Sequence, residues 1–200
     1  MLANTVAHQG TIYHWVRDHR LHHLHSDTDK DPHSIQRGFF YAHMGWLLET
    51  KPRRTDIPSL ADLEADSVVM FQKRWYPYMA HVIGFGVPAV YGMWWGHTLW
   101  NAYLYFGVLR WVLLLHLTWC VNSVAHLWGV RPYKDIPPAE SSVTSFLAVG
   151  EGWHNFHHAY PYDYRASELG LWNPTTVWID MLAALGHVWD RKVATPTRLK

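Results

Sequence analysis

Two long apolar stretches organise the chain. Residues 78–96 are apolar apart from His81, and residues 102–121 are interrupted only by Arg110 and His116. Each is roughly 20 residues, the length at which a helix spans a bilayer core. Trp75, Trp94, Trp95, Trp100 and Trp119 crowd their ends, as side chains of an interfacial aromatic belt do. The short link at 98–101 makes the pair a helical hairpin. The pattern thus predicts an all-α membrane protein: a segment over 1–77, a transmembrane hairpin over 78–122, and a segment over 123–200. All but Arg110 of the 17 lysines and arginines lie outside the hairpin, so the positive-inside bias puts both long flanks on the cytosolic side. Two buried helices of a soluble protein are the competing reading, given Gly84, Gly86, Pro88 and the internal charges; length and charge placement favour the membrane. Residues 55–70 read as an acidic, solvated surface helix with a cap at Ser59. Residues 131–138 read as a proline-rich turn.

Composition narrows the chemistry. A formal net charge of +1 leaves no electrostatic footprint for nucleic acid. The lone Cys120 excludes a disulfide framework and cysteine-based zinc or iron–sulfur sites. Residues 1–10 lack the basic start and apolar core of a signal peptide. The unusual number is 16 histidines, a density that suggests metal binding or pH sensing.

One histidine pattern, His-x-x-His-His, occurs twice, as His19-Arg-Leu-His22-His23 and His154-Asn-Phe-His157-His158. On a helix these spacings share one face, so each triad can converge on a point. A hairpin returns the chain to the side it left, so both triads can meet at one cytosolic site. Two triads suit two metal ions better than one, because zinc rarely needs more than four ligands. The zinc-protease pattern His-Glu-x-x-His and the Glu-rich ligand set of soluble di-iron bundles are both missing. Imidazole donors in this number fit iron doing O2 chemistry.

The chain resembles the stearoyl-CoA (delta-9) acyl-CoA desaturase family, and is similar to its insect members. The resemblance rests on Trp15-Val-Arg-Asp-His-Arg-Leu-His-His23, Asp31-Pro-His33, Arg37-Gly-Phe-Phe40, His43-Met-Gly-Trp-Leu-Leu48, Thr118-Trp119, Asn122-Ser-Val-Ala-His126, Arg131-Pro-Tyr133, Gly150-Glu-Gly-Trp-His-Asn-Phe-His-His158 and Tyr160-Pro-Tyr-Asp-Tyr164. It implies a cytosolic helical cap carrying a di-iron site, with two Fe(2+) per complete chain and nine histidine ligands. His19, His22 and His23 match the second histidine box, His154, His157 and His158 the third, and His126 a further ligand. Asn122, one turn before His126, matches the residue that holds a water on the metal. The family's first box, His-x-x-x-x-His, belongs upstream of His19, and the spacing of His8 and His14 does not supply it. The resemblance therefore implies a chain lacking the family's N-terminal region and first box, and silent on its own.

It also implies Arg17, Asp18 and Lys51 at a CoA headgroup and Trp119 beside the acyl chain. One family cation is replaced at Thr50, and a family Asn falls on Gly10. The implied activity is O2-dependent insertion of a cis double bond into a long-chain acyl-CoA, with electrons from cytochrome b5 and its reductase, at the endoplasmic reticulum membrane. A histidine-box hydroxylase or alkane monooxygenase shares the ligands but inserts oxygen. A catalytically inactive truncated isoform acting as a membrane partner is the reading from a different class. His25 competes as a ligand because it too lies three residues from His22; Glu151, Asp163 and Asp18 are candidates to orient imidazoles.

Overall fold

The computed structural model describes residues 1–50, 56–167 and 173–197. Among these residues the chain is helical, with no sheet and two isolated bridges, Val130 to Glu140 and Glu140 to Trp153. The α-helices are α1 (Leu2–Ala7), α2 (Ile12–His25), α3 (Phe39–His43), α4 (Ala61–Ala65), α5 (Ser67–His81) and α6 (Val87–Trp94). They continue with α7 (Leu99–Ala102), α8 (Arg110–Leu127), α9 (Ser142–Leu147), α10 (His154–Ala159) and α11 (Pro174–Ala184). The chain packs as two compact units, one of Met1–His25 with Thr50–His116, the other of Ser26–Glu49 with Leu117–Lys200.

In the first unit the acidic stretch forms two helices rather than one. α4 ends at Ala65, and Asp66 caps α5 by accepting from the amides of Val68 and Val69 at 2.8 and 3.2 Å. Leu60 directly precedes α4, while Ser59 Oγ accepts from the Ala61 amide at the helix start at 3.4 Å and the Ser59 carbonyl accepts from Arg20 at 2.8 Å. A π-helical turn, Val82–Gly86, joins α5 to α6, and another, Tyr103–Leu109, joins α7 to α8. Such wide turns absorb a local break in the hydrogen-bond ladder, and Pro88 supplies one by lacking an N–H.

Gly96, at φ 85°, ends the first helical run, and Thr98 starts the second by accepting from the Asn101 amide at 3.3 Å. The two runs pair antiparallel through small residues. A Cβ on Gly92 would lie 2.5 Å from Phe106 and 2.9 Å from the Ala102 methyl, while Gly107 faces Phe85. Close approach at Gly and Ala is how helices associate where no hydrophobic effect drives them. The continuous helix Leu99–Leu127, 29 residues, is long and apolar enough to cross a membrane. Few residues of its most apolar stretch are buried. Among the described residues it is the one run that meets both criteria.

In the second unit Tyr133, Phe156, Ala159 and Tyr160 form a small aromatic core. The chain's C-terminal part is tied to it through Asp163, whose carboxylate takes Arg165 and the Ala194 amide at 2.6 and 2.8 Å. α11 opens on Asn173, which accepts from Thr175 and Thr176, with Pro174 at its first turn.

Candidate metal centre

In the first unit the predicted ligands lie on α2. Its start is fixed by Thr11 Oγ1, which accepts from the His14 amide at 3.0 Å, and by Gln72 Oε1, which accepts from the Ile12 amide at 2.8 Å. Gln72 is fully buried and also donates to Asn4 and Thr5, so α5 ties α1 and α2 together. Further along, Arg20 grips Asp62 through both guanidinium nitrogens at 2.9 and 2.5 Å. That pairing holds the Asp62 carboxyl down at about 2.

On this helix His19 and His23 bring their ligand atoms together, and His22 is not grouped with them. The Nε2 atoms of His19 and His23 lie 3.2 Å apart, and His22 is buried. Trp15 stacks on the His19 ring with centroids 4.7 Å apart. His25 is turned to Asp56, Nε2 to Oδ2 2.9 Å, which accounts for it without a metal. Arg17 donates to Asp18 at 2.8 Å, so these two predicted headgroup residues pair with each other. Lys51 lies outside the described residues.

In the second unit the predicted ligands lie on the C-terminal part of α8 and on α10. The Nε2 atoms of His154 and His158 are 3.1 Å apart, and the His126 ring lies 4.9 and 5.6 Å from theirs. All three imidazoles are buried, and each offers a ligand atom within 4.8 Å of the others. His157 is half-buried, stacked 5.6 Å from His154. Asn122 is half-buried one turn before His126 on α8. Trp119 meets the edge of His43, whose Nδ1 lies 2.9 Å from Ser123 Oγ.

α10 is too short to hold itself, so its neighbours hold it. Asn155, fully buried between two of the histidines, accepts from the Tyr133 amide at 2.9 Å. It donates to the carbonyls of Lys134 and Pro138 at 2.8 and 2.9 Å. The Phe156 amide donates to Glu140 at 3.1 Å. The other support is Asp27, whose Oδ2 sits 2.7 Å from Nδ1 of His126. Asp27 was not among the acids the sequence singled out, which were Glu151, Asp163 and Asp18. Asp163 is instead engaged by Arg165. The available signal was the acid-rich run Asp27-Thr-Asp-Lys-Asp31 directly after the first triad.

These residues fit a metal. Neutral imidazoles crowded nitrogen to nitrogen repel through their lone pairs unless a proton or cation sits between them. Two nitrogens bound to one ion at about 2.1 Å and at right angles lie about 3.0 Å apart, close to the 3.1 and 3.2 Å found in the two pairs. An all-imidazole set suits iron, zinc, copper or nickel, and excludes magnesium and calcium, which prefer oxygen.

A model of fatty acid desaturases matches residues 2–189. Stearoyl-CoA desaturase 5 of Bos taurus is 46% identical, over 96% of this chain and 60% of its own length. Human stearoyl-CoA desaturase is 47% identical over 96% of this chain and 55% of its own length. The Acyl-CoA Delta12-desaturase of the cricket Acheta domesticus is 44% identical over 100% and 58%. The chain spans about three-fifths of the length of the curated relatives it matches. Mammalian and insect proteins match alike, as do those named for different double-bond positions, so neither lineage nor bond position is separated at this level. This all-α chain, with its membrane-length helix and clustered histidines, belongs to the fatty acid desaturase family.

Proposed function

We propose that the chain belongs to a stearoyl-CoA (delta-9) type acyl-CoA desaturase that inserts a cis double bond into a long-chain acyl-CoA. The observation that carries this reading is the buried trio His126, His154 and His158, with Asp27 behind His126, in a fatty acid desaturase. An unactivated methylene has no acidic proton, so side-chain acids and bases cannot remove its hydrogens. A bound pair of irons supplies that chemistry, activating O2 with electrons from cytochrome b5 and its reductase.

The chain's own residues do the rest. His19, His22, His23, His126, His154, His157 and His158 would hold the irons, and Asn122 would hold a water beside them. Burial of His22, His126, His154 and His158 would keep bulk solvent from the reacting centre. Trp119 lines the path of the acyl chain, while Arg17, Asp18 and Lys51 meet the CoA headgroup. Residues 78–122 form a transmembrane hairpin, with the 97–101 link in the lumen of the endoplasmic reticulum and both long flanks in the cytosol. Its outward apolar side chains, among them Trp100, Tyr105, Leu109 and Leu113, face lipid.

The test is expression of the natural protein containing this sequence in desaturase-deficient yeast. Fatty acid products are read by gas chromatography and mass spectrometry, and iron per chain by elemental analysis. A new cis alkene, lost in His157→Ala, is the expected result. A hydroxylated product, or full activity in His157→Ala, overturns the reading. Glycosylation mapping that puts the two flanks on opposite sides of the membrane overturns the topology alone.

A further inference from the structure

We propose that Asp27 is a positioning residue for His126, fixing its tautomer and ring so that Nε2 is the nitrogen presented to metal. The inference rests on the metal reading above and adds a residue to it. Asp27 Oδ2 and His126 Nδ1 are 2.7 Å apart, and both side chains are 1% exposed. An ionised carboxylate only accepts hydrogen bonds, so the imidazole proton sits on Nδ1 and the lone pair on Nε2. A ligating histidine backed in this way is held in orientation and made a better donor.

The loop is wound to deliver that carboxylate. Asp27 has φ 57°, in the left-handed region, and its amide donates to Asp31 Oδ2 at 2.7 Å. Its own Oδ1 accepts from the Ile35 amide at 3.2 Å, leaving Oδ2 directed at His126. Asp31 is itself buried and accepts from the His33 amide at 3.1 Å. Each carboxylate oxygen of Asp27 therefore has a defined partner, one in the loop and one on the ligand.

A carboxylate that merely stapled the loop would look similar, and the isosteric variant separates the two roles. In Asp27→Asn the amide oxygen keeps the Ile35 bond, and the amide nitrogen donates to Nδ1 of His126. That reverses the imidazole: the proton moves to Nε2, where it blocks a metal. A staple survives the change, but ligand presentation does not.

The experiment uses the full chain purified in detergent, stripped with a chelator and reloaded with Fe(2+). Iron affinity is read by chelator competition, and folding by thermal melting of the iron-free protein. Asp27→Asn is expected to bind iron about 10–100-fold more weakly, with iron-free melting close to the parent. Asp27→Glu should recover part of the affinity, and Asp29→Asn, on the exposed side of the loop, should match the parent. Parent-like affinity in Asp27→Asn makes Asp27 a loop staple and overturns the inference. So does an Asp27→Asn chain that unfolds without iron. A parent chain that takes up no iron overturns the metal reading and this inference with it.

Discussion

Arg110 donates to the carbonyl of Gly84 at 2.8 Å, and that is the carbonyl Pro88 leaves without its α-helical donor. The same guanidinium bonds the Phe106 carbonyl at 3.0 Å, on the run it belongs to. One half-buried cation thus stitches the two helical runs at the point where one is broken. In the structure Arg110, the one basic residue inside the predicted hairpin, pairs helices.

Arg110→Met is therefore expected to lower stability by about 1–3 kcal/mol, the cost of stranding a buried acceptor. The loss should shrink in a Pro88→Ala background, which returns an N–H to the helix. Thermal unfolding of the four proteins in one detergent gives the coupling. An equal loss in both backgrounds would show that Gly84 is not the partner that matters.

Gly92 and Gly86 lie on the same helical run but in different surroundings. A methyl at Gly92 meets Phe106 and Ala102 inside contact distance, while one at Gly86 finds only the His81 carbonyl at 3.9 Å. Gly92→Ala should destabilise the pair by about 1–3 kcal/mol through overpacking. Gly86→Ala should be neutral or slightly stabilising, because Ala favours helix over Gly. Comparable melting shifts for both would mean the helices do not cross at Gly92.

What the sequence made legible, and what it hid, follows from range. The i, i+3, i+4 spacing of His19, His22 and His23 is local, and so are the apolar lengths around the link at 97–101; the pairing of His19 with His23 and the membrane-length helix Leu99–Leu127 were readable there. Asp27 acts on His126 from 99 positions away, and Asn155 closes a loop 17 to 22 residues upstream. No periodicity reports such pairs. The break at Asp66 was hidden for another reason: its capping bonds to Val68 and Val69 won over the acidic amphipathic pattern that ran through it. The compact units also interleave, each drawing on two stretches of chain, which a linear reading does not convey.

The Arg20–Asp62 pair predicts a pH response on the solvent side. Arg20 holds Asp62 at about 2, below its ordinary 3.8. A carboxyl depressed in the folded state contributes stability above its unfolded pKa and loses it as pH falls toward the folded one. Asp62→Asn should melt below the parent at pH 7, and the gap should close between about pH 4 and pH 2. The pair is exposed, so the gap should also narrow in high salt. A gap that persists at pH 2 would assign the loss to something other than this ion pair.

Asn155 carries the most demanding test of how α10, with His154, His157 and His158, is held. It is fully buried, accepts from the Tyr133 and Lys134 amides at 2.9 and 3.4 Å, and donates to the Lys134 and Pro138 carbonyls at 2.8 and 2.9 Å. Its neighbours on either side along α10 are His154 and Phe156, so the loop at 131–138 and the ligand helix share one anchor. Asn155→Ala removes all four bonds and strands buried backbone groups, each of which costs about 1–3 kcal/mol. The total should exceed about 3 kcal/mol, in the range reserved for broken buried networks. Asn155→Asp keeps the acceptor but sets a second oxygen against two carbonyls, so it should be no better despite its matched size. Limited proteolysis should then show faster cutting within 131–138, and chelator competition should show weaker iron binding, because His154 and His157 lose their common support. Parent-like proteolysis with weakened iron would restrict Asn155 to the ligand helix. Parent-like values of both would remove it from the architecture of the site.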